Sequence, residues 1–185
     1  MKTTYTISIF TEDRIGLLNR ITIIFTRRHI NIESITASVS EVKSIYRYTI
    51  VVNVTKDLVE KLVGQIDKQI EVLKAFYHQS PEIVSREIAL YKVSGDALKE
   101  NELFTRTIKE NHATILSVSS EYIVVEKTGE EPEISRLFNE LEKFGMLEFA
   151  RSGKVAITKP MKTLNTYLKE IENNSTKTIK HFNYN

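Results

Sequence analysis

The sequence has no cysteine and no tryptophan among its 185 residues, and it has only six glycines and three prolines. Without cysteine the chain cannot form disulfides, thiolate zinc sites or iron–sulfur clusters, and it has no cysteine nucleophile. An excess of charge is also missing, because 26 basic residues nearly balance 24 acidic residues and leave a net charge of +2. A charge this small does not by itself indicate a surface that binds nucleic acid.

Long apolar segments are missing as well. No apolar run approaches the roughly 18 residues that a membrane-spanning helix needs. Residues 1–10 lack the apolar core and the cleavage site of a signal peptide. What is present is ordinary for a globular chain, with 41% apolar and 27% charged residues. We therefore expect a cytoplasmic protein that does not associate with membranes.

The first 80 residues predict the element order β-α-β-β-α-β. Residues 5–10 alternate between apolar and polar side chains, as a half-buried strand does. Residues 11–15 follow as a loop that Gly16 closes, and a polar turn at 40–44 joins two later β-rich segments. The other predicted strands are 32–39, 47–54 and 72–77, and the two helices carry Leu17, Ile21, Ile24 and Phe25, then Val59, Leu62, Val63, Ile66 and Ile70.

The same order is predicted a second time in the second half of the chain. This repeat is the split βαβ pattern, so we predict an α+β protein with two tandem ferredoxin-like βαββαβ domains and antiparallel sheets. The predicted strands are 87–93, 113–118, 122–126 and 146–157 with a break at Ser152-Gly153, and the helices carry Leu98, Phe104 and Ile108, then Ile134, Leu137, Phe138, Leu141 and Phe144.

A proline and a polar pair at residues 79–81 predict the boundary between the two domains. The first domain is then 1–80 and the second is 81–158. Residues 159–185 differ in composition and predict a short helix with a frayed end, with Leu164, Tyr167, Leu168 and Ile171 at helical spacing. The three segments carry net charges of +3, −4 and +3, so the acidic second domain is the least suited to nucleic acid and a candidate partner surface.

A catalytic site needs a convergent set of activated groups, and the sequence does not offer one. The six glycines form neither a GxGxxG motif nor a P-loop. The four histidines lack metal-ligand spacing, and His29 is expected to end the first helix, where an imidazole complements the helix dipole. Tyr46 and Tyr48 flank Arg47 as in an RNA platform, but core packing accounts for them at least as well. We predict no catalytic residue and no metal site, which counts against a small ferredoxin-like enzyme.

The exit from the first strand into the first helix carries the strongest signal. Free N–H groups and the helix dipole favour a small anion at such a position. Gly16 has no Cβ and would let the backbone approach a ligand closely. The alternative is that Gly16 only forms the turn and that Asp13 only caps the helix.

Residues 12–18, Glu-Asp-Arg-Ile-Gly-Leu-Leu, resemble the glycine-containing loop of ACT domains, the small-molecule-sensing modules of amino-acid metabolism. Residues 27–36, Arg-Arg-His-Ile-Asn-Ile-Glu-Ser-Ile-Thr, resemble a segment of the small regulatory subunit of acetolactate synthase, which is also called acetohydroxyacid synthase. Residues 85–93 and 148–153 resemble further segments of the same family, in the same order. The sequence is therefore identified as a member of this family, with an N-terminal ACT domain and a C-terminal ACT-like domain.

The resemblance implies a non-catalytic protein that binds the large catalytic subunit of acetolactate synthase. That subunit carries thiamine diphosphate, Mg²⁺ and FAD, and it joins two pyruvates, or pyruvate and 2-oxobutyrate, in branched-chain amino-acid synthesis. The small subunit raises its activity and, in many members, transmits feedback inhibition by valine. The family's ACT domains pair side by side into a homodimer with effector sites at the interface, which suits an exposed sheet edge.

The resemblance also implies which residues bind the effector. The amides near Gly16 would hold its carboxylate, and apolar neighbours would take its branched side chain. Asp13, Asn19 and His29 depart from the residues common in the family, which are Asn, Ser and Gly. The implied effector residues are Asp13, Arg14, Ile15, Gly16, Leu17 and Leu18, with Asn31 and Ile32 from the partner chain.

A free-standing ACT-type sensor or co-regulator, which would not bind the synthase, is the alternative function. It is less favoured because the sequence shows neither a helix-turn-helix nor a strong basic stripe for DNA contact. The resemblance in the second half also favours the synthase subunit, since a sensor need not share those segments.

Overall fold

The structure is a computed structural model that describes residues 1–159 together with Thr166 and Lys169. It divides the chain into two compact units, Met1–Val84 with residues 156–159, and Ser85–Val155. The helix predicted from Leu164 to Ile171 lies outside the described residues except at those two positions.

The first unit has the order β-α-β-β-α-β, and its four strands form one antiparallel sheet in the order β2-β3-β1-β4. The two helices cover one face of this sheet. The elements are β1 (Thr3–Glu12), α1 (Leu17–Arg27), β2 (Ser34–Val39), β3 (Ile45–Val54), α2 (Lys56–Ile66) and β4 (Val72–His78).

The second unit repeats this topology after a short 3-10 turn at Ser80–Glu82. Its sheet has the order β6-β7-β5-β8, and a further strand, β9, pairs with β5. The prediction of two ferredoxin-like βαββαβ folds with antiparallel sheets is therefore confirmed. The elements are β5 (Ile83–Ser94), a 3-10 segment (Gly95–Glu100), α3 (Asn101–Glu110), β6 (Thr114–Val118), β7 (Tyr122–Gly129), α4 (Glu131–Glu142), β8 (Met146–Arg151) and β9 (Val155–Thr158).

The core of the first unit forms where the apolar sides of α1 and α2 meet β1 and β3. Burial of one such aliphatic side chain contributes about 1.5–3 kcal/mol relative to its exposure. Ile70, predicted on the second helix, lies beyond its end and is 95% exposed. The helix ends at Ile66, and the carboxylate of the following Asp67 accepts a hydrogen bond from the amide of Ala75 on β4 at 2.8 Å. Fully buried members include Ile7, Ile9, Ile21, Ile50, Leu62 and Ile66.

A second core fills the other unit in the same manner. Tyr91 lies inside it, its hydroxyl donates to the carbonyl of Ile134 at 2.9 Å, and burial raises its pKa to about 12. Leu98, predicted on a helix, lies in the 3-10 segment and is 42% exposed. Phe144 lies just beyond α4, but it is buried against Phe104, with the ring centroids 5.2 Å apart.

The first strand is longer than predicted and shortens the loop that follows it. Thr11 and Glu12 were expected in the loop, but they pair with Tyr46 and Ile45 of β3. Thr11 is fully buried despite its hydroxyl, which donates to a neighbouring backbone carbonyl. The connection between β1 and α1 is therefore only residues 13–16.

Two histidines follow helices in the left-handed backbone region. His29 has φ 53° after α1, and His112 has φ 50° after α3. At α1 the amide of His29 donates to Thr26, and the amide of Ile30 donates to Phe25, both at 3.0 Å; the same pair of bonds recurs after α3. These bonds define a Schellman motif, in which glycine is the preferred left-handed residue. The first helix thus ends near His29, as predicted.

Candidate functional site

The loop between β1 and α1 is held at its base by two neighbouring connections. The amide of Asp13 donates to the carbonyl of Ser44, and the amide of Glu12 donates to the carbonyl of Glu71, each at 3.0 Å. Ser44 ends the β2–β3 turn, and Glu71 precedes β4. Residues 13–16 therefore leave the sheet from a fixed position.

Gly16 is the N-terminal cap residue of α1 and has a left-handed backbone, with φ 82° and ψ −1°. No side chain caps this helix, so the expectation that Asp13 might be its cap is wrong. A Cβ at Gly16 would meet no atom within 4 Å, and the backbone conformation is what favours glycine here. The space beside Gly16 is open toward solvent.

Two amides at the start of α1 precede its hydrogen-bond ladder. The first bond of that ladder is donated by Arg20 to the carbonyl of Gly16 at 3.2 Å. The amide of Leu17 donates to the carbonyl of Arg14 at 3.3 Å and closes the turn. The amides of Leu18 and Asn19 are then the ones available to an anion, where the positive end of the helix dipole also acts.

The side chains around these amides are mostly exposed. Ile15 is fully exposed and Leu18 is 42% exposed, whereas Leu17 is buried in the core and offers a ligand only its backbone. The Nε of Arg14 donates to the carboxylate of Glu12 at 3.1 Å. Asp13 is exposed, and within the part of the chain that the structure describes no cation pairs with its carboxylate.

Asn31 and Ile32 lie near the opposite end of α1 from Gly16. Asn31 is exposed, and Ile32 is half-buried against the first core. The 11 residues of α1 span about 16 Å at about 1.5 Å per residue. One chain therefore does not bring these two residues to its own loop, and a site containing both needs a second chain.

An ion pair stiffens the start of α1. A guanidinium nitrogen of Arg20 lies 2.7 Å from the carboxylate of Glu71. The hydrogen bond from Arg20 lowers the pKa of Glu71. The backbone carbonyl of Glu71 also accepts a hydrogen bond from the amide of Glu12. Glu71 therefore connects α1, the end of β1 and the start of β4.

The ion pair of the buried Glu87 with the partly exposed Arg151 in the second unit was not predicted as a site. Glu87 is 6% exposed, and the Nε of Arg151 lies 3.4 Å from its Oε2, which accepts no hydrogen bond from the described residues. Another nitrogen of Arg151 lies 3.5 Å from the carboxylate of Glu131. The sequence does indicate the burial of Glu87, because Glu87 alternates in phase with Ala89 and Tyr91, which face the core.

Segments 85–93 and 148–153, which lie far apart in the sequence, are neighbours in the structure. They form the neighbouring strands β5 and β8, with Ala89 opposite Arg151. Ser152 continues the contact, since its amide donates to Ile88 at 2.8 Å and its hydroxyl accepts the amide of Ile88 at 2.9 Å. These contacts hold β5 against the end of β8.

Two further observations concern metal binding and membrane-spanning helices in the described residues. No cluster of three or more histidine or carboxylate side chains in residues 1–159 is placed to hold a metal ion. None of the helices in that part of the chain is long and apolar enough to cross a membrane.

The tandem ferredoxin-like folds and the glycine loop at the start of α1 define an ACT-domain protein. Residues 7–74 match the family model described as the AHAS small subunit-like ACT domain, where AHAS is acetohydroxyacid synthase. Residues 86–160 match the model described as the small subunit of acetolactate synthase. The chain belongs to the acetolactate synthase small subunit family.

Individual relatives agree with this assignment over most of their length. The acetolactate synthase small subunit of Mycolicibacterium smegmatis is 35% identical over 156 residues, which cover 84% of this chain and 91% of the relative. That of Bacillus subtilis is 40% identical over 154 residues, with 83% and 89% covered. The crystal structure of the small subunit from Thermotoga maritima superposes with a TM-score of 0.77 at 28% identity, covering 86% of this chain and 99% of that one.

Proposed function

We propose that this chain is the regulatory subunit of acetolactate synthase, acting in the cytoplasm on the synthesis of valine, isoleucine and leucine. It binds the large catalytic subunit, raises the activity of that subunit and transmits feedback inhibition by valine. The observation that carries the effector part of this proposal is the uncapped start of α1, where Gly16 exposes the amides of Leu18 and Asn19.

The chain itself carries out no reaction in this proposal. Carbon–carbon bond formation between two 2-oxo acids belongs to the large subunit, with its thiamine diphosphate, Mg²⁺ and FAD. We assign effector binding and dimerisation to residues 1–80 and regard residues 81–158 as the second domain of the small-subunit family. The division of the chain between Val84 and Ser85 supports a boundary near this point, although residues 156–158 fall in the first unit.

The loop suits each part of a branched α-amino acid. The amides of Leu18 and Asn19 would receive the carboxylate, since the helix dipole stabilises negative charge there. The exposed side chains of Ile15 and Leu18 would contact the isopropyl group. The carboxylate of Asp13 would attract the ammonium group. Arg14 and the backbone of Leu17 complete the effector loop.

A homodimer completes this site in our proposal. Strand β2 lies at the edge of the first sheet and pairs only with β3 among the described residues. Its sequence, Ser-Ile-Thr-Ala-Ser-Val, has no charged residue to discourage pairing with another strand. Side-by-side pairing at this edge would bring Asn31 and Ile32 of one chain to the Gly16 loop of the other.

Reconstitution with the large subunit tests the effector loop. Gly16→Asp places a carboxylate beside the proposed site of the ligand carboxylate, so we expect valine inhibition to be lost while activation is largely retained. Gly64→Asp is the control for an added carboxylate, because a Cβ at Gly64 also meets nothing within 4 Å but lies on α2, away from the loop. An unchanged valine inhibition curve in Gly16→Asp would contradict the assignment of the loop.

A further inference from the structure

The sheet of the first unit is buried on both faces, although its helices cover only one. Tyr5, Ile7 and Ile9 on β1 point toward the helices. The side chains between them point to the opposite face, here called the outer face, and these side chains are buried as well. The buried residues of the outer face, each at most 5% exposed, are Thr6, Ser8, Phe10, Thr49 and Val51.

The second unit shows that this burial is not a property of the βαββαβ fold itself. Its strand β5 holds the same place in the second sheet that β1 holds in the first. The outer-face residues Ile88 and Leu90 of β5 are 51% and 40% exposed. The outer face of the first sheet is therefore covered by something other than the helices and strands of its own βαββαβ fold.

Two polar atoms of the outer face also indicate a cover. Thr36 lies opposite Thr49, and His78 lies opposite Thr6. The Oγ1 of Thr36 and the Nε2 of His78 are shielded from solvent and have no hydrogen-bond partner among the described residues. Because buried polar atoms are normally hydrogen-bonded, we expect their partners in the segment that covers them.

The last described stretch of the chain, residues 156–159, contacts this part of the first unit, to which it belongs. The guanidinium of Arg47, which lies on the outer face, donates a hydrogen bond to the carbonyl of Ala156. The amide of Lys159 donates to the carbonyl of Glu82, just beyond β4, at 3.0 Å. The residues that follow Lys159 therefore start beside the outer face.

We propose that the C-terminal segment, residues 160–185, covers the outer face of the first sheet with an amphipathic helix. This inference goes beyond the proposed function and does not depend on it. Thr166 and Lys169 are helical and exposed, so they mark the solvent side of this helix. At about 3.6 residues per turn, the apolar residues on the opposite side are Leu164, Leu168 and Ile171.

The outer face and the helix match in size and in chemistry. From Thr6 to Phe10 the strand spans about 13 Å at about 3.3 Å per residue. Residues 164–171 span about 10 Å in a helix that rises about 1.5 Å per residue. The side chain of Ser8, at the centre of the outer face, is small and leaves room for a helix, and Phe10 and Val51 offer apolar contact.

Because the chain has no cysteine, one engineered thiol probes the cover directly. Ser8→Cys places a thiol of nearly the same size on the outer face, and its rate of reaction with a maleimide is measured on the full chain. We expect Leu164→Asp with Leu168→Asp to raise this rate about tenfold or more, because carboxylates are costly to bury against apolar side chains. Thr166→Asp with Lys169→Gln is the matched control, since it lowers the net charge equally on the exposed side and should leave the rate unchanged.

A second thiol distinguishes loss of the cover from unfolding of the unit. Ala75→Cys lies on the helix-covered face of the same sheet, where Ala75 is buried. This thiol should stay protected in every variant of the C-terminal segment. A faster reaction at Ser8→Cys alone supports the proposal, whereas an equal rise at both thiols reports unfolding and would overturn it.

Two further results would identify a different cover. If the rate at Ser8→Cys responds to the Leu164 and Leu168 substitutions no more than to the control, another part of the chain covers the outer face and the proposal is wrong. If the protection of Ser8→Cys in the otherwise unchanged chain is lost on dilution, the cover is a second copy, and the proposal is again overturned.

Discussion

Removal of the guanidinium of Arg151 tests whether the second unit depends on the ion pair of its buried Glu87. Its partner, Glu87, is 6% exposed, so a lone carboxylate there would be shielded from water. Breaking a buried pair at one partner costs about 3–5 kcal/mol. The side chain of Arg151 is itself 36% exposed, and water could enter its place. We therefore expect Arg151→Met to lower the free energy of unfolding by about 3 kcal/mol, the low end of that range.

The assay is urea denaturation of four proteins that form a double-mutant cycle: the wild type, Arg151→Met, Glu87→Leu and the double variant. The double variant should lie within about 1 kcal/mol of the wild type, because exchange of both partners for apolar groups leaves no buried charge. Glu148→Gln is the control, since Glu148 lies on the same strand and forms an exposed pair with Lys92 at 4.0 Å, worth about 0–1 kcal/mol. The reasoning is refuted if Arg151→Met costs no more than this control, or if the two single losses simply add.

The other predictions concern the first unit and the repeated helix ends. His29→Gly and His112→Gly should each raise the free energy of unfolding by about 1 kcal/mol, because both positions have positive φ; lower midpoints in thermal unfolding would contradict this. Arg20→Met should reduce stability above about pH 4.5, where the lowered pKa of Glu71 keeps its carboxylate ionised and paired. As the pH falls through that lowered pKa the wild type loses this contribution, so the two stabilities should converge in acid; a constant difference across denaturation curves from pH 3 to 7 would exclude the linkage.

Local periodicity predicts the helices of this fold well because their buried faces are regular. Leu17, Ile21 and Ile24 recur at helical spacing, and all three are buried. Periodicity fails at the end of α2. Ile70 continues the helical spacing of apolar residues in the sequence, but the helix has already ended at Ile66. Just beyond the helix the carboxylate of Asp67 accepts the amide of Ala75 on the next strand, and a local pattern cannot predict such a tertiary contact.

The candidate loop was predictable in position but not in detail. Its place between the first strand and helix follows from the change of period at Gly16. The residue that caps the helix could not be predicted in this way. The amide of Asp13 donates to the carbonyl of Ser44 in a distant turn, and the left-handed Gly16 takes the cap position. The pairing of Glu87 with Arg151 was likewise out of reach, since it depends on the register of two strands far apart in the sequence.

The central claim is that effector binding and the large subunit are coupled through this chain. Calorimetric titration of valine into the chain alone, and into its complex with the large subunit, measures that coupling directly. We predict affinities that differ by about 5–150-fold, which corresponds to a coupling free energy of about 1–3 kcal/mol and must be the same in both directions of the cycle. Equal affinity of valine for the free chain and for the complex would contradict the account.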